Sequence, residues 1–214
     1  MSKIVLFQGD SITDCNRNRE KPMSKGIGYA GKVASYLGAH EPYQYTFYNR
    51  GISGNRVVDL YARIRRDMIN MKPDIMSILV GVNDVWHQYK RQDGVDAEKY
   101  EMVYDLMLTE LKRELPDLKI MIMEPFVVQG IETKSTEEHP DRWSYFRREV
   151  ELRADAARRL AEKHGLPFIP LQKMFDDLCK DAPEDYWTAD GVHPSIAGHE
   201  MIKEAWLKAF EELK

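Results

Sequence analysis

Short apolar runs alternate with longer amphipathic segments along the chain. The runs end at glycine, proline or polar residues and cover residues 4–7, 45–49, 75–80, 119–123 and 168–171. Apolar runs of this length, bounded by turn residues, are typical of buried β-strands. Helical spacing occurs between and after them, in segments of about 29–37, 57–71, 97–115, 146–164 and 195–213. Strands separated by helices pair in parallel through right-handed crossovers, so the pattern predicts a three-layer α/β/α sandwich.

The strand interiors are almost continuously apolar, as expected for a sheet covered by helices on both faces. We therefore predict a five-stranded parallel sheet in the flavodoxin-like order 2-1-3-4-5, in which the ends of strands 1, 2 and 3 are neighbours. With 214 residues, of which 43% are hydrophobic, the chain is long enough for one well-buried core. We expect a single domain over residues 1–214.

Charge and cysteine usage exclude several classes of partner. The net charge of −4, from 31 basic and 35 acidic residues without long blocks of one sign, gives no basic surface for nucleic acid or an anionic membrane. Cys15 and Cys179 are too few for a disulfide framework. No apolar run approaches the roughly 20 residues of a membrane span or forms a signal sequence. These features favour a cytoplasmic protein with a small-molecule partner.

The first predicted strand ends abruptly in Gly9-Asp10-Ser11. This position places Ser11 at the carboxyl edge of the sheet, where open α/β sheets bind their ligands. A serine hydroxyl becomes a nucleophile when a base removes its proton and when fixed donors stabilise the oxyanion that its attack creates. The backbone N–H of Ser11, at the start of the following helix, is one candidate donor.

Two further candidate donors follow the neighbouring strands. Gly54 lies in a glycine-rich turn after strand 2, where the missing Cβ allows a backbone N–H to approach a substrate oxygen closely. Asn83 follows strand 3 and offers a side-chain amide. Together with the N–H of Ser11, these groups would form an oxyanion hole.

The candidate base precedes the last predicted helix. Pro194 disfavours helical geometry at His193, so a loop presents this imidazole. Asp190, three residues earlier, can fold back onto the second ring nitrogen and orient the ring. The sequence around Ser11 is not the G-x-S-x-G elbow of α/β-hydrolases, because Thr13 stands at the second position after the serine.

These motifs resemble the four blocks of the SGNH (GDSL) hydrolase family, in order and over residues 7–199. They are Gly9-Asp10-Ser11, the turn from Gly51 to Gly54, Gly81-Val82-Asn83-Asp84 and Asp190-x-x-His193. Within the family, residues 83–89 and 193–199 are similar to the carbohydrate acetylesterase branch, which includes intracellular acetylxylan esterases.

The resemblance implies a function for each of these residues. Ser11 would be the nucleophile, His193 the base and Asp190 its partner, with Ser11, Gly54 and Asn83 as oxyanion donors. It also implies a carboxylic ester hydrolase without a metal or organic cofactor, which removes O-acetyl groups from sugars or short xylo-oligosaccharides through an acyl-enzyme. Several homo-oligomeric assemblies are compatible with the family.

Aromatic residues near the predicted site are candidates for contact with a sugar ring. Trp86 and Tyr89 follow Asn83, and Trp187 precedes Asp190. Each can equally cover the end of the sheet or a subunit contact. The polar segment 129–145 can form either a lid or an oligomer contact, and the sequence does not choose between the two.

Three other functions remain open from the sequence. A lysophospholipase or thioesterase of the same family would prefer long acyl chains. A metal-dependent phosphoesterase would use Asp10, Asp14, Asp84 and His87 as metal ligands. A carbohydrate-binding protein without catalysis would use the same fold. We interpret Asp10 and Asp14 instead as turn and cap residues, and His87 and His199 as surface residues or indirect supports of the site.

Overall fold

A computed structural model describes residues 2–21 and 23–213, and its strands form one parallel five-stranded sheet. The strand order is β2-β1-β3-β4-β5, which confirms the predicted order 2-1-3-4-5. The strands are β1 (Lys3–Gly9), β2 (Tyr45–Asn49), β3 (Ile75–Leu79), β4 (Lys119–Met123) and β5 (Phe168–Ile169).

Ten α-helices are assigned within the described residues, and a short 3-10 helix covers Ile69–Met71. The helices are α1 (Ser11–Asp14), α2 (Tyr29–His40), α3 (Val57–Ala62), α4 (Ile64–Asp67), α5 (Val82–Arg91), α6 (Ala97–Glu114), α7 (Arg142–His164), α8 (Gln172–Asp181), α9 (Glu184–Trp187) and α10 (Ile196–Glu211).

Consecutive side chains of the central strand pack on opposite faces of the sheet. Val5 and Phe7 of β1 belong to a core that includes buried residues of α2, α8 and α10. Leu6 lies in a second core, together with buried residues of α3, α6 and the later part of α7. Because side chains alternate along a strand, this arrangement favours apolar residues at most interior positions, with Gln8 and Ser77 as buried polar exceptions. Helices therefore cover both faces, as predicted for the three-layer sandwich.

The strand pairing determines which loops meet at the carboxyl edge. The last residue of β1, Gly9, pairs with Leu79 of β3, and Phe7 pairs with Asn49 of β2. The segments that follow these three strands therefore start side by side. They are α1, the turn at residues 50–56 and α5.

The helices differ from the sequence prediction in several places. The predicted helix 57–71 is divided into α3, α4 and the 3-10 helix, with non-helical backbone at Arg63 and Met68. Helix α7 begins at Arg142 rather than at residue 146, and α5, α8 and α9 lie in stretches where the sequence analysis placed no helix. The Arg63 side chain at this break donates hydrogen bonds to Asn55 and to the backbone oxygen of Arg50, in the turn at residues 50–56, as well as to Asp67 of α4.

Candidate active site

The carboxyl edge brings Ser11, His193 and Asp190 into one hydrogen-bonded chain. The Ser11 Oγ lies 2.7 Å from Nε2 of His193, and Nδ1 of the same ring lies 2.5 Å from Oδ2 of Asp190. The other carboxylate oxygen of Asp190 accepts the backbone N–H groups of Val192 at 2.9 Å and His193 at 2.7 Å. The loop before α10 thus fixes both the acid and the ring, and it directs one ring nitrogen toward the serine.

The charge of Asp190 favours the protonated imidazole. Its hydrogen bond is the largest influence on His193 and raises the pKa of that ring, against the effect of burial. Burial raises the pKa of Asp190, but the hydrogen bonds from His193 and Val192 outweigh it and hold this pKa below its usual range. The carboxylate is therefore ionised near neutral pH and stabilises the imidazolium that forms when the ring accepts a proton.

The three candidate oxyanion donors lie at the ends of neighbouring strands. Ser11 is the first residue of α1, whose N-cap Asp10 accepts the N–H of Ile12 at 3.0 Å. Gly54 has a φ of +83°, a conformation that side chains strongly disfavour. Asn83 is buried near the start of α5, and its Nδ2 donates to the backbone oxygen of Asn55 at 3.3 Å. Since α1 has a single turn, any dipole effect on Ser11 is small.

Two buried carboxyl groups lie behind these donors. Burial raises the pKa of Asp10 to about 6, although the N–H of Ile12 and the charge of His193 oppose the shift. Burial also raises the pKa of Asp84 to about 8, against the N–H of Val57 at the start of α3. Asp10 is thus a cap residue, as predicted, and Asp84 supports the start of another helix.

The residues considered as metal ligands, Asp10, Asp14, Asp84 and His87, each contact a different group of the protein. Asp14 accepts hydrogen bonds from Arg19 and Ser53, and Nδ1 of His87 lies 3.7 Å from the carboxylate of Asp93. Over residues 2–21 and 23–213, no three His, Cys, Asp or Glu side chains are grouped so that they could hold a metal ion. A site built from Asp10, Asp14, Asp84 and His87 is therefore not formed.

A pocket of about 290 Å³ opens beside the serine. Its lining residues are Ser11, Ile12, Cys15, Asn16, Ser53, His193, Pro194 and His199. His199 is buried, so the surface alternative was wrong. Its Nδ1 accepts the N–H of Tyr29 at 3.2 Å, and its Nε2 lies 3.3 Å from the Cys15 Sγ. Burial, followed by the charge of Lys32, lowers the pKa of His199 to about 4, so a neutral ring donates to the sulfur at neutral pH.

The three aromatic side chains proposed to contact a sugar are partly buried in the fold. The Trp86 ring lies 5.6 Å from that of Phe146, and the Tyr89 hydroxyl accepts a hydrogen bond from Arg142 at 3.3 Å. The Trp187 Nε1 donates to the backbone oxygen of Leu178 at 3.0 Å. Contact with a substrate stays a prediction for all three.

Segment 129–145 contacts α5 through charged and aromatic residues. Glu132 pairs with Lys90 at 3.0 Å, and Arg142 bonds to the hydroxyl of Tyr89. Gly130 packs directly against the backbone of Asp190 and Gly191. This segment therefore supports the loop that carries the candidate base.

Comparison with known proteins agrees with this geometry. Residues 7–201 match the GDSL-like Lipase/Acylhydrolase family. The chain belongs to this family. An acetylxylan esterase from Geobacillus stearothermophilus is 35% identical over 214 residues, which cover 95% of this chain and 92% of the relative. Family membership and this relative identify the chain as a carboxylic ester hydrolase.

Solved structures of family members have the same fold. A protein from Parabacteroides merdae described as a GDSL-like lipase superposes with a TM-score of 0.90 at 36% identity, covering 98% of this chain and 96% of that one. A crystal structure of an acetylxylan esterase from Geobacillus stearothermophilus gives a TM-score of 0.83 at 33% identity, covering 97% and 93%. None of the helices described here is both long and apolar enough to cross a membrane.

The sequence did not reveal several residues that support the site. Ser53, Arg63 and Cys15 were not singled out for it, and Asp14 was interpreted as a turn or cap residue or, in the phosphoesterase alternative, as a metal ligand. The signals were weak, because an arginine within a helical pattern or a cysteine after a turn has many ordinary explanations. The position of Asp14, three residues after Ser11, was the one indication that both face the same turn of helix.

Proposed function

We propose that the protein is a serine esterase that removes O-acetyl groups from sugars or short xylo-oligosaccharides. The observation that carries the proposal is the 2.7 Å contact between Ser11 Oγ and His193 Nε2, with Asp190 on the other ring nitrogen. The similarity to an acetylxylan esterase over nearly the whole chain supports an acetylated carbohydrate as the substrate.

The first half of the reaction forms an acetyl-enzyme. The Ser11 oxygen attacks the ester carbonyl carbon while Nε2 of His193 takes the hydroxyl proton. Asp190 holds the proton on Nδ1 and stabilises the imidazolium. When the tetrahedral intermediate collapses, the bond to the sugar oxygen breaks and His193 returns its proton to that oxygen, which releases the deacetylated sugar.

The second half repeats these steps with water. His193, again neutral, removes a proton from a water molecule as its oxygen attacks the acetyl carbon. Collapse breaks the bond to the Ser11 oxygen, and the proton on His193 restores the hydroxyl as acetate leaves. In both halves, the N–H groups of Ser11 and Gly54 and the side-chain amide of Asn83 donate to the oxyanion.

The roles of the aromatic residues belong to the same proposal. Trp86, Tyr89 and Trp187 lie on the elements that carry Asn83 or precede Asp190, so an exposed part of a ring can stack on the sugar. A substitution that affects acetylated sugars more than a simple aryl acetate would identify such a contact.

A panel of substrates tests the proposed function. We expect acetylated xylo-oligosaccharides and p-nitrophenyl acetate to be hydrolysed with release of acetate, and p-nitrophenyl octanoate and longer esters to react far more slowly. Ser11→Ala, measured beside the wild type, gives the background rate of hydrolysis without the proposed nucleophile. A preference for long chains would favour the lysophospholipase or thioesterase alternative, and sugar binding without hydrolysis of any ester would favour a binding protein.

A further inference from the structure

The turn that carries Gly54 is bound to other parts of the fold on both of its sides. This turn, residues 50–56, has few hydrogen bonds of its own, such as that from the N–H of Asn55 to the oxygen of Ile52 at 3.1 Å. Gly54 adopts a positive φ, and glycine is the residue with the greatest conformational freedom. The direction of its N–H therefore depends on what holds Ser53 and Asn55.

A carboxylate holds the residue before Gly54. Oδ2 of Asp14 accepts both the backbone N–H of Ser53 at 3.0 Å and its hydroxyl at 3.1 Å. Asp14 is only 3% exposed, and Arg19 donates to the same oxygen at 2.5 Å. Burial raises the pKa of Asp14, but the hydrogen bonds from Arg19 and Ser53 outweigh it and keep this pKa below the usual range. The accepting group is therefore an anion at neutral pH, which strengthens both bonds.

A guanidinium holds the residue after Gly54. Nε of Arg63 donates to the Asn55 side-chain oxygen at 2.9 Å, and the Asn55 backbone oxygen accepts from Asn83, the other oxyanion donor. Arg63 also donates to the Arg50 oxygen at 2.8 Å and to the Asp67 carboxylate at 2.9 Å.

The same guanidinium reaches the strand that precedes the nucleophile. Nη2 of Arg63 donates to the side chain of Gln8 at 2.7 Å and to the backbone oxygen of Gly9 at 3.3 Å, two residues before Ser11. Arg63 therefore connects the end of β1, the end of β2 and the turn that carries Gly54.

We propose that Asp14 and Arg63 are positioning residues of the oxyanion hole, which fix the N–H of Gly54 from its two sides relative to Ser11 and Asn83. The proposal rests on the proposed function. Asp14 lies three residues after Ser11 on α1. Its bonds to Ser53 therefore attach the turn at residues 50–56 to the helix that carries the nucleophile. A shift of about 1 Å in a group that contacts the transition state can cost about 100-fold in rate.

The experiment uses matched pairs of substitutions on the turn itself. Ser53→Thr and Asn55→Asp keep the side-chain groups that bind Asp14 and Arg63. Ser53→Ala removes the hydroxyl bond to Asp14 and leaves the backbone N–H bond, whereas Asn55→Ala removes the side-chain oxygen that accepts from Arg63. We expect kcat for p-nitrophenyl acetate to fall about 10-fold in the alanine variants with KM unchanged, and the conservative variants to retain most of the activity. Asp14→Asn and Arg63→Lys should lower kcat by about 10- to 100-fold.

A remote ion pair of similar geometry is the control. Asp176 on α8 accepts a hydrogen bond from each of Nη1 and Nη2 of Arg147 on α7, both at 2.8 Å. Asp176→Asn should leave kcat unchanged. If the alanine variants lose thermal stability while kcat per folded molecule matches the wild type, or if KM rises at constant kcat, the positioning role is overturned.

A second readout separates this inference from the proposed function. Phenylmethylsulfonyl fluoride labels an activated serine, and its sulfonyl oxygen occupies the oxyanion hole during the reaction. Mass spectrometry should show slower labelling of Ser11 in Ser53→Ala and Asn55→Ala than in Ser53→Thr and Asn55→Asp. Equal labelling rates overturn the positioning role. A wild type that neither hydrolyses esters nor is labelled at Ser11 overturns the proposed function itself.

Discussion

The carboxyl edge of the sheet and the face covered by α6 are both buried, but they are built from different chemistry. At the edge, Asp10, Asp14 and Asp84 are nearly inaccessible carboxyl groups held by hydrogen bonds. Under α6, Met107 and Leu108 are fully buried among apolar neighbours. Burying a polar or charged group costs free energy that its hydrogen bonds only offset, whereas burying apolar surface stabilises the fold. The stability of the fold therefore comes mainly from the apolar core. This stability offsets the cost of holding polar groups in place at the carboxyl edge.

Ser11→Ala should show most clearly that activity depends on the carboxyl edge and stability on the core. Loss of a catalytic serine lowers kcat by about 10⁶-fold in a serine protease, and we expect a loss of that order here. The side chain is small and lies at the mouth of the pocket, so the urea midpoint of unfolding should stay at the wild-type value. Hydrolysis of p-nitrophenyl acetate measures the first effect, and residual activity near that of the wild type would exclude Ser11 as the nucleophile.

Asp190→Asn should have the next largest effect. An amide favours the wrong tautomer of the ring, and the corresponding change in a serine protease costs about 10⁴-fold in kcat. Hydrolysis of p-nitrophenyl acetate measures the loss.

In the wild type, activity should rise with pH through a value above 6.5, because only the neutral ring accepts a proton and Asp190 raises its pKa.

The residual activity of Asp190→Asn gives a second test. Removing the carboxylate removes the largest cause of the raised pKa of His193, so the inflection should move to lower pH. An unchanged inflection would show that another group titrates. The pair also contributes stability, which is fully present below the unfolded pKa of the ring and is lost as pH rises through its folded pKa.

Leu108→Ala tests the opposite side of the comparison. This side chain is fully buried on α6, and truncating such a leucine costs about 2–5 kcal/mol of unfolding free energy. Urea denaturation measures the loss. The activity per folded molecule should be unchanged, and a parallel fall in kcat would mean that the core and the edge are coupled.

Asn83→Ala should lower kcat by about 100- to 1,000-fold, because it removes one donor to the oxyanion. KM for p-nitrophenyl acetate should change little, since the amide contacts an oxygen that becomes charged only in the transition state. A rise in KM at constant kcat would place Asn83 in substrate binding instead.

Asp84→Asn should act through the pH dependence of stability. The folded-state pKa of about 8 lies above the 3.8 of an exposed aspartate, so between these values the folded protein holds a proton that the unfolded chain has lost. Wild-type stability should therefore fall relative to the variant as pH rises from about 4 to about 8. Parallel stability curves for the two proteins would contradict this shift.

The elements of the sheet were predictable because their signals are local. Each strand is a short apolar run closed by turn residues, and alternation with helices restricts the topology to a few orders. The helix prediction failed where tertiary contacts override local spacing. At Arg63, apolar residues at helical spacing on both sides predict one continuous helix. The structure breaks it, and the Arg63 side chain, which is 9% exposed, binds the turn at residues 50–56. Residues 82–91 form α5, and this helix was missed for a different reason. Val82, Val85, Trp86 and Tyr89 recur at helical spacing, but the segment was interpreted only through the motif at Asn83.

The candidate site divides in the same way. Ser11, Gly54, Asn83, Asp190 and His193 each follow a strand or precede a helix in a recognisable motif, so the sequence alone predicted them as site residues and identified the family. Asp14 and Arg63 are ordinary residues of helical segments, and their positions beside the turn follow from the pairing of β1 with β2 and from the break in the helix.

By itself, the sequence determined the class of fold, the strand order and the residue types available for ester hydrolysis, because periodicity and motif spacing are properties of neighbouring residues. Only the tertiary structure decided that Ser11 lies 2.7 Å from His193, that His199 is buried and that two charged side chains hold the turn at Gly54. Such contacts join residues far apart in the chain, and their geometry depends on how helices and strands pack rather than on any local pattern.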